Sequence, residues 1–342
     1  MAGIGYTVSI GSLRASNSSR QGQALVRSIS SELTMDGVGG RCTVELVPSD
    51  AGLPSPGEST TIALDPGDGS ITVFTGQVLE ARAAADSAVV IGGDALTQLA
   101  RIDATGAYEQ MSAGAIVRDL LGLASAKAGT VEDGLTFPSY VLHRGPRALR
   151  HIQRLAEQCG FDVFTNGRGQ VHFSAPRKGG ADHTFVYRTQ VLRTQLHQAL
   201  PAIDGFEVWG EGAASSQGDS KAHWLVDDVA PIHGKAALGD QGQVRGGSVG
   251  KHSREVKDGA VRSGDGASAQ AKGRVTALAS RKLQGFLVVL GAPAVQPGDL
   301  IAVKDIPQGH PVEDLLSGQV LRVRTVRHQL DARTGFTTRM EL

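Results

Sequence analysis

The first ninety residues alternate apolar and polar side chains in short segments, and this alternation limits the fold more than any other feature of the sequence. A period of two places every second side chain on one face of a β-strand, so each segment fits a strand with one buried face. Gly, Pro, Asp and Ser dominate between the segments, as in turns between strands. We therefore predict a β region over residues 1–94, with strands at GYTVSI, RCTVELVP, TTIALD, ITVFTGQVLEAR and SAVVIGG.

One stretch of this region departs from the pattern. Residues 13–35 are rich in serine and polar side chains. We predict a loop there that becomes a short strand or turn where its apolar residues cluster, at Leu25, Val26, Ile29 and Leu33.

The hydrophobic period changes from two to that of a helix in residues 95–180, which we predict to form an α+β middle region. One helix is expected near 112–128, with Ser112 as its N-cap and Gly129 as its stop. A second is expected at 147–159 with Gly160 just past its end. A hairpin should follow at 161–174, turned at Asn166, Gly167 and Gly169.

Residues 181–342 are again predicted to be mainly β. Strands are expected at 183–196 and 204–210, then a helix at 269–284, and then at least four closing strands. Between them, residues 211–271 are rich in Gly, Ser, Ala, Lys and Asp, with WLVDDVAPI (224–232) as the exception. This composition predicts an inserted, partly mobile arm.

A short internal match connects the two β regions. TGQVLEAR (75–82) resembles SGQVLRVR (317–324), and a PGD tripeptide precedes each, at 66–68 and at 297–299. Either the match is chance, or the chain holds two related β domains that flank the middle region.

Composition restricts the possible partners. The 34 basic and 34 acidic residues balance, which does not favour nucleic acid or an anionic membrane as a partner, whereas low net charge favours association with protein. No stretch is long and apolar enough to span a membrane, and the N-terminus lacks the pattern of a secretory signal. Cys42 and Cys159 are expected to be free, buried thiols in a protein made in the cytoplasm.

The segment 151–173 holds His151, Cys159 and His172 and could suggest a metal site. His151 and Cys159 are eight residues apart on the predicted helix, about 12 Å along its axis, so they cannot share a metal. His172 alternates with Val171 and Phe173 and should point away from the face that they bury. We expect a packed cysteine and solvated or capping histidines.

Other candidate motifs are equally weak. GSVGK (247–251) resembles a phosphate loop but lacks the preceding strand and the Ser or Thr after the lysine. EDG (132–134) and VDDV (226–229) place acids side by side, which fits solvated turns better than a catalytic pair. We predict no catalytic, metal-binding or cofactor-binding residue and no cofactor.

The order of the segments is more informative than any side chain. RLAEQCGFDVFTNGRGQVHF (154–173) and the C-terminal series PGD…SGQVLRVRTVRH…GFTTRMEL are the strongest pieces. Together with the β region before them, they resemble the phage late control protein D family, the baseplate hub proteins of contractile tails. They are similar as well to the hub part of valine-glycine repeat spike proteins in contractile injection systems. The likeness covers most of the chain but not residues 211–271.

The resemblance implies two related tube-type β-barrel domains, at 1–94 and at 181–342 with its arm, flanking the α+β middle. It implies a homotrimer whose pseudo-six-fold ring joins a hexameric tail tube, or a tube-initiator protein, to a separate trimeric spike, with baseplate wedge proteins around it. Strands 71–80 and 318–326 would belong to the ring. Such a protein is made in the bacterial cytoplasm and works in a virion or an injection particle.

The resemblance implies no enzymatic activity and no direct contact with nucleic acid or membrane. Two other functions stay open on the sequence: a tail-associated peptidoglycan hydrolase, and a tube-initiator protein of hexameric form.

Overall fold

A computed structural model gives the fold of residues 4–17, 24–47, 52–198, 201–210, 232–239 and 242–342. Strands predominate, and most of the helices lie between the first and last groups of strands. The prediction of a mainly β chain with an α+β middle is therefore confirmed. Within these ranges, no helix has both the length and the hydropathy that crossing a membrane requires.

The N-terminal region forms seven strands whose buried positions alternate as the sequence predicted. Val8, Val44 and Ile62 are completely buried in its core, while their chain neighbours are more exposed. The strands are β1 (Gly5–Ile10), β2 (Leu13–Ser16), β3 (Val26–Thr34), β4 (Arg41–Leu46), β5 (Ser59–Asp65), β6 (Ile71–Ala83) and β7 (Ala88–Gly93).

The middle region packs three helices against short strands around one core. Asp94 and Ser112 cap the first two helices by accepting hydrogen bonds from Thr97 N and Ala115 N, and Gly160 ends the third in the left-handed conformation (φ 69°). The elements are α1 (Ala95–Leu99), β8 (Gly106–Ser112), α2 (Ala113–Leu123), β9 (Lys127–Val131), β10 (Thr136–Leu142), α3 (Ala148–Cys159), β11 (Asp162–Thr165) and β12 (Gln170–Ser174).

The predicted helix near 112–128 is shorter than expected. It begins after the Ser112 cap, as predicted, but ends at Leu123, and Gly129 is not its stop. Gly129 lies in β9, which pairs in parallel with β12. The apolar residues near 127 belong to that strand, so the helical spacing continued by coincidence.

The C-terminal region contains a second group of strands and two helices. Its elements are β13 (His183–Val186), β14 (Val191–Gln198), β15 (Gly205–Trp209), β16 (His233–Leu238), β17 (Val244–Gly246), β18 (Ser253–Lys257), α4 (Gly264–Ser280), β19 (Leu283–Leu290), β20 (Leu300–Lys304), α5 (Glu313–Leu316), β21 (Leu321–Arg322), β22 (Thr325–Asp331) and β23 (Gly335–Glu341).

One sheet of eleven strands joins the two ends of the chain, in the order β14-β19-β23-β22-β3-β4-β7-β6-β5-β1-β2. The connection is the antiparallel ladder between β22 and β3, which runs from Thr325 opposite Thr34 to Asp331 opposite Ser28. The hydroxyls of Thr34 and Thr325 are 2.8 Å apart and buried. The stretch 13–35 is therefore not mainly a loop, because β3 lies in the interior of this sheet.

Two groups of four strands within the sheet follow the same order. We call β3-β4-β7-β6 the N-terminal quartet and β14-β19-β23-β22 the C-terminal quartet; in each, the strands lie in the chain order first, second, fourth, third. In both, the chain changes partner at the third strand or just before it. β6 pairs with β5 in its first half and β7 in its second, whereas β21 pairs with β20 before β22 pairs with β23.

The matching sequence segments of the two β regions do not occupy equivalent structural positions. TGQVLEAR lies inside β6, but SGQVLRVR ends before β22 begins. The PGD at 66–68 follows β5, whereas the PGD at 297–299 precedes β20. The likeness of the two quartets is thus one of strand order rather than of those letters.

The predicted arm at 211–271 is largely wrong where the structure describes it. Residues 211–231 and 240–241 lie outside the described residues, but the rest forms β16, β17, β18 and the start of α4. The small residues allow close packing: a Cβ on Gly234 would lie 2.2 Å from the carbonyl carbon of Ala267, on α4. The low hydrophobicity of these residues therefore comes from small side chains at a tight helix–sheet contact and does not indicate a mobile segment.

A buried carboxylate holds this subregion against the middle region. Asp258, 6% exposed, accepts hydrogen bonds from Arg154 and Gln158 of α3 and from Gln270 of α4. Burial alone would raise the pKa of Asp258, but hydrogen bonds from Gln158, Ala260 N and Arg154, together with the charge of Arg154, lower it below the usual value. The charge is thus matched by donors on both helices.

Candidate functional site

His151 is buried, with 2% of its surface exposed, so the expectation of a solvated or capping side chain is wrong for it. Its ring packs edge-on against His143 and Tyr140, at centroid distances of 5.5 and 6.3 Å. Burial lowers the pKa of His151 from its ordinary value. The neutral ring is therefore part of the core between β10 and α3.

Cys159 is a packed thiol, as expected. Its Sγ accepts a hydrogen bond from Leu135 N at 3.4 Å, and burial raises its pKa to about 11. Burial likewise raises the pKa of Cys42 to about 12. Both thiols are free and, being protonated at neutral pH, are poor nucleophiles.

His172 points away from the face that Val171 and Phe173 bury, as its place in the strand predicted. It stacks on Phe164 at 4.9 Å with nearly parallel rings, and its Nδ1 accepts a hydrogen bond from Thr130 N. His151, Cys159 and His172 thus pack against different neighbours. Across the described parts of the chain, no three His, Cys, Asp or Glu side chains are grouped to hold a metal ion.

In the loop GSVGK, the backbone N–H groups of Gly247, Gly250 and Lys251 all donate to groups of the same chain. The N–H groups of Lys251 and His252 donate to the carboxylate of Asp204 at 2.9 and 2.8 Å. A phosphate would need free donors of this kind, and here a carboxylate of the same chain accepts them. The loop therefore stabilises its own turn.

The neighbouring acids at 132–134 also have structural partners. Asp133 forms an ion pair with Arg118 at 2.9 Å, and Glu132 accepts from Ala175 N. The second acidic pair, in 226–229, lies outside the described residues.

Two open strand edges are the most prominent unused binding features. The β14 edge is the side of Val191–Gln198 opposite β19, and β14 ends the eleven-stranded sheet. The β6 edge is the side of residues 79–83 opposite β7, beyond the last pairing of β5 at Gln77. Among the described residues, the one backbone pairing at these edges is an isolated bridge between Tyr187 and Val191, at the start of β14. Unpaired N–H and C=O groups in a row bind another strand readily.

Side chains at both edges fit a contact with another chain. Leu192 of β14 is 55% exposed, and the buried hydroxyl of Thr194 has no hydrogen-bond partner within the described residues. Glu80 and Arg82 of β6 form an exposed ion pair with each other. These edges combine apolar, polar and charged groups next to free backbone.

The sequence pointed to only one of the two edges. Of the strands expected in a ring, 71–80 overlaps the β6 edge only at its end, and 318–326 leads into β22, which pairs with β3 inside the chain. The β14 edge was missed, although the polar run RTQLHQ (193–198) with its isolated leucine is typical of a strand with little burial on either face.

Comparisons with known proteins find likeness in structure alone. No protein-family model matches the chain, and no curated protein is significantly similar to it in sequence. A tail protein of 43 kDa from prophage MuSo2 of Shewanella oneidensis superposes with a TM-score of 0.69 at 14% identity, covering 98% of this chain and 97% of the other. A tail protein from Neisseria meningitidis gives 0.70 at 14% identity, covering 99% and 96%.

A third similar structure comes from a secretion system. It is an Escherichia coli component of the type VI secretion system that is structurally similar to the T4 bacteriophage tail proteins gp27 and gp5. Its TM-score is 0.61 at 11% identity, covering 98% of this chain and 75% of the other. At these identities the likeness establishes the architecture, and the chain has the mainly β fold of these phage tail proteins over almost its whole length.

Proposed function

We propose that the chain is a structural baseplate hub of a contractile phage tail or contractile injection system. Its homotrimer would form a pseudo-six-fold ring that joins a hexameric tail tube, or a tube-initiator protein, to a separate trimeric spike. The likeness to two phage tail proteins and a type VI secretion component supports this function. The work of such a ring is mechanical and needs no catalytic residue.

The observation that carries the proposal is the pair of quartets in one chain. They share a strand order and lie side by side in one sheet. β22, at one end of the C-terminal quartet, pairs with β3, at the adjacent end of the N-terminal quartet. Three such chains would supply six similar units around a three-fold axis. A ring of this kind can match six tube subunits on one side and three spike chains on the other.

The proposed division of the chain follows from this arrangement. Residues 1–94 and 181–342 would each form a tube-type β-barrel domain, and residues 95–180 an α+β middle domain. The subregion around β15–β18 and α4 packs on α3, so it would extend the outer surface available to baseplate wedge proteins. The particle would assemble from chains made in the bacterial cytoplasm.

Native mass spectrometry and light scattering of the purified chain test the proposal. We expect a trimer, three times the chain mass of 35.6 kDa, that persists at micromolar concentration because an obligate interface buries a large area. A hexamer would favour the tube-initiator function, and a monomer at high concentration would contradict the hub.

Incubation with purified peptidoglycan tests the remaining alternative. We expect no release of soluble fragments above a buffer control. Robust lysis would contradict a purely structural function and support the hydrolase.

A further inference from the structure

We propose that the β14 edge of one copy pairs antiparallel with the β6 edge of the next copy, and that this ladder closes the ring. The inference rests on the proposed trimer and goes further by naming the strands and their register. The occupant of each edge is thus a second copy of the same chain.

The two quartets can be aligned row by row through their ladders. In the N-terminal quartet one row runs through Ile29, Val44, Val90 and Ala81. In the C-terminal quartet the corresponding row runs through Val191, Val289, Thr338 and His328.

The burial of the two rows agrees. Except for the half-buried Ala81, all members of both rows are buried. The next inward-facing row pairs Ser31, Cys42, Gly92 and Val78 with Thr194, Leu287, Met340 and Val326. The alignment therefore makes β3 equivalent to β14, and β6 equivalent to β22.

The chain itself contains the template for the proposed contact. β22 uses the side opposite β23 to pair with β3, over seven residue pairs. The equivalent side of β6 is open, and so is the equivalent side of β14 beyond the isolated bridge of Val191 to Tyr187. β22 and β3 already pair within one chain. Their equivalents, β6 and β14, have no such pairing within the chain and can form it only between copies.

The template gives the register as well. His328 lies opposite Ser31 and Gln329 opposite Ser30. The equivalent pairs between copies are Ala81 opposite Thr194, and Arg82 opposite Arg193. Glu80 then lies diagonally across from Arg193, so its carboxylate faces both arginines.

The contact is head-to-tail, because each copy contributes a different strand to each side. A head-to-tail contact forms a closed ring when the rotation from one copy to the next returns to the first copy. Closure would pair the β6 and β14 edges of every copy, which removes the risk of uncontrolled growth at these two exposed strands. The unpartnered hydroxyl of Thr194 would be enclosed within the new ladder.

Disulfide trapping tests the pair and its register. The double variant Arg82→Cys/Arg193→Cys is oxidised and run on a denaturing gel without reductant, and a covalent trimer is expected. Directly opposed Cα atoms in antiparallel strands lie about 4.5–5.5 Å apart, which suits a disulfide. Both arginines are exposed, whereas the native thiol of Cys42 is buried and that of Cys159 is half-buried.

The matched control is Arg82→Cys/His197→Cys, which moves one cysteine about 13 Å along the strand and should give at least about tenfold less covalent trimer. Each single variant alone should give no covalent product. Co-expression of the two single variants Arg82→Cys and Arg193→Cys, so that mixed trimers assemble, should give a covalent dimer. Covalent dimers of Arg82→Cys alone, or a disulfide within one chain, would overturn the proposed pairing.

Native mass spectrometry of the same samples separates this inference from the proposed function. Trimers that form without any covalent product would overturn the strand pairing and leave the hub standing. A wild-type chain that is monomeric or hexameric would overturn the hub itself.

Discussion

His328 lies in the centre of the shared sheet, on β22, with its ring completely enclosed. Its Nδ1 is 3.0 Å from the Thr338 hydroxyl of the neighbouring strand β23. Burial lowers the pKa of His328 to about 4, although a backbone hydrogen bond at Val295 opposes the shift. The folded protein therefore keeps this imidazole neutral at pH values where the unfolded chain binds a proton.

This difference predicts a pH-dependent stability. The folded pKa lies below the unfolded value of about 6.5, so the contribution is full above that pH and is lost as the pH falls toward 4. Between pH 7 and pH 5 the loss is about 2 kcal/mol. Urea unfolding at both pH values should show this loss of stability for the wild type and for the exposed control His197→Asn. The loss due to His328 should be missing in His328→Asn.

An NMR titration of the wild-type histidines is an independent check that needs no variant. A pKa near 6.5 for His328 would contradict the burial described above. The sequence offered no means of distinguishing this histidine from the nine others, since its enclosure depends on β3, a strand distant in the chain, as well as on the neighbouring β23.

At the scale of elements, helices α3 and α4 approach most closely at two glycines. A Cβ on Gly273 of α4 would lie 2.5 Å from the Cα of Gly160, which follows α3. Backbone atoms cannot move aside as a flexible side chain can. The contact thus fixes how the subregion of β15–β18 sits on the middle region.

We predict that Gly273→Ala lowers the free energy of unfolding by about 1–3 kcal/mol, because the added methyl group forces the helices apart. Gly264→Ala is the matched control in the same helix. A Cβ there meets open space, so its effect should stay within about 0.5 kcal/mol. Chemical denaturation measures the stability of both variants. Equal stabilities of Gly273→Ala and Gly264→Ala would contradict the close contact.

Element prediction from sequence succeeded where the signals were local. The Ser112 cap, the Gly160 stop and the hairpin at 161–174 were all predicted, because each depends on residues a few positions apart. The arm was mistaken because glycine and alanine are common both in loose chains and at close helix–sheet contacts. Only the partner surface distinguishes the two, and it lies elsewhere in the sequence.

At the scale of the whole molecule, one carboxylate, that of Asp36, connects the N-terminal region to two elements of the C-terminal region. Arg324, just before β22, donates two hydrogen bonds to Asp36 in the turn after β3, at 2.9 and 2.6 Å. Arg281, at the end of α4, lies 3.7 Å from the same carboxylate. Burial opposes the ionised carboxylate, but the hydrogen bond and charge of Arg324 lower the pKa of Asp36.

We predict that Arg324→Met costs about 1–2 kcal/mol of stability, since Asp36 is half exposed and part of the interaction is screened. Arg333→Met, in the exposed turn after β22, should change stability by less than about 0.5 kcal/mol. Thermal unfolding followed by calorimetry measures both. Equal melting temperatures for the two variants would show that this link does not hold the regions together.

The amino-acid sequence by itself determined the type of each region: alternation specified strands, a longer period specified helices, and caps and glycines specified several of their ends. These properties depend on neighbours within a few residues. Only the tertiary structure decided that β3 pairs with β22, almost three hundred residues later, and that the β6 and β14 edges stay open. Any exposed strand can pair with any other through its backbone, so which edges meet is decided by packing of the whole chain.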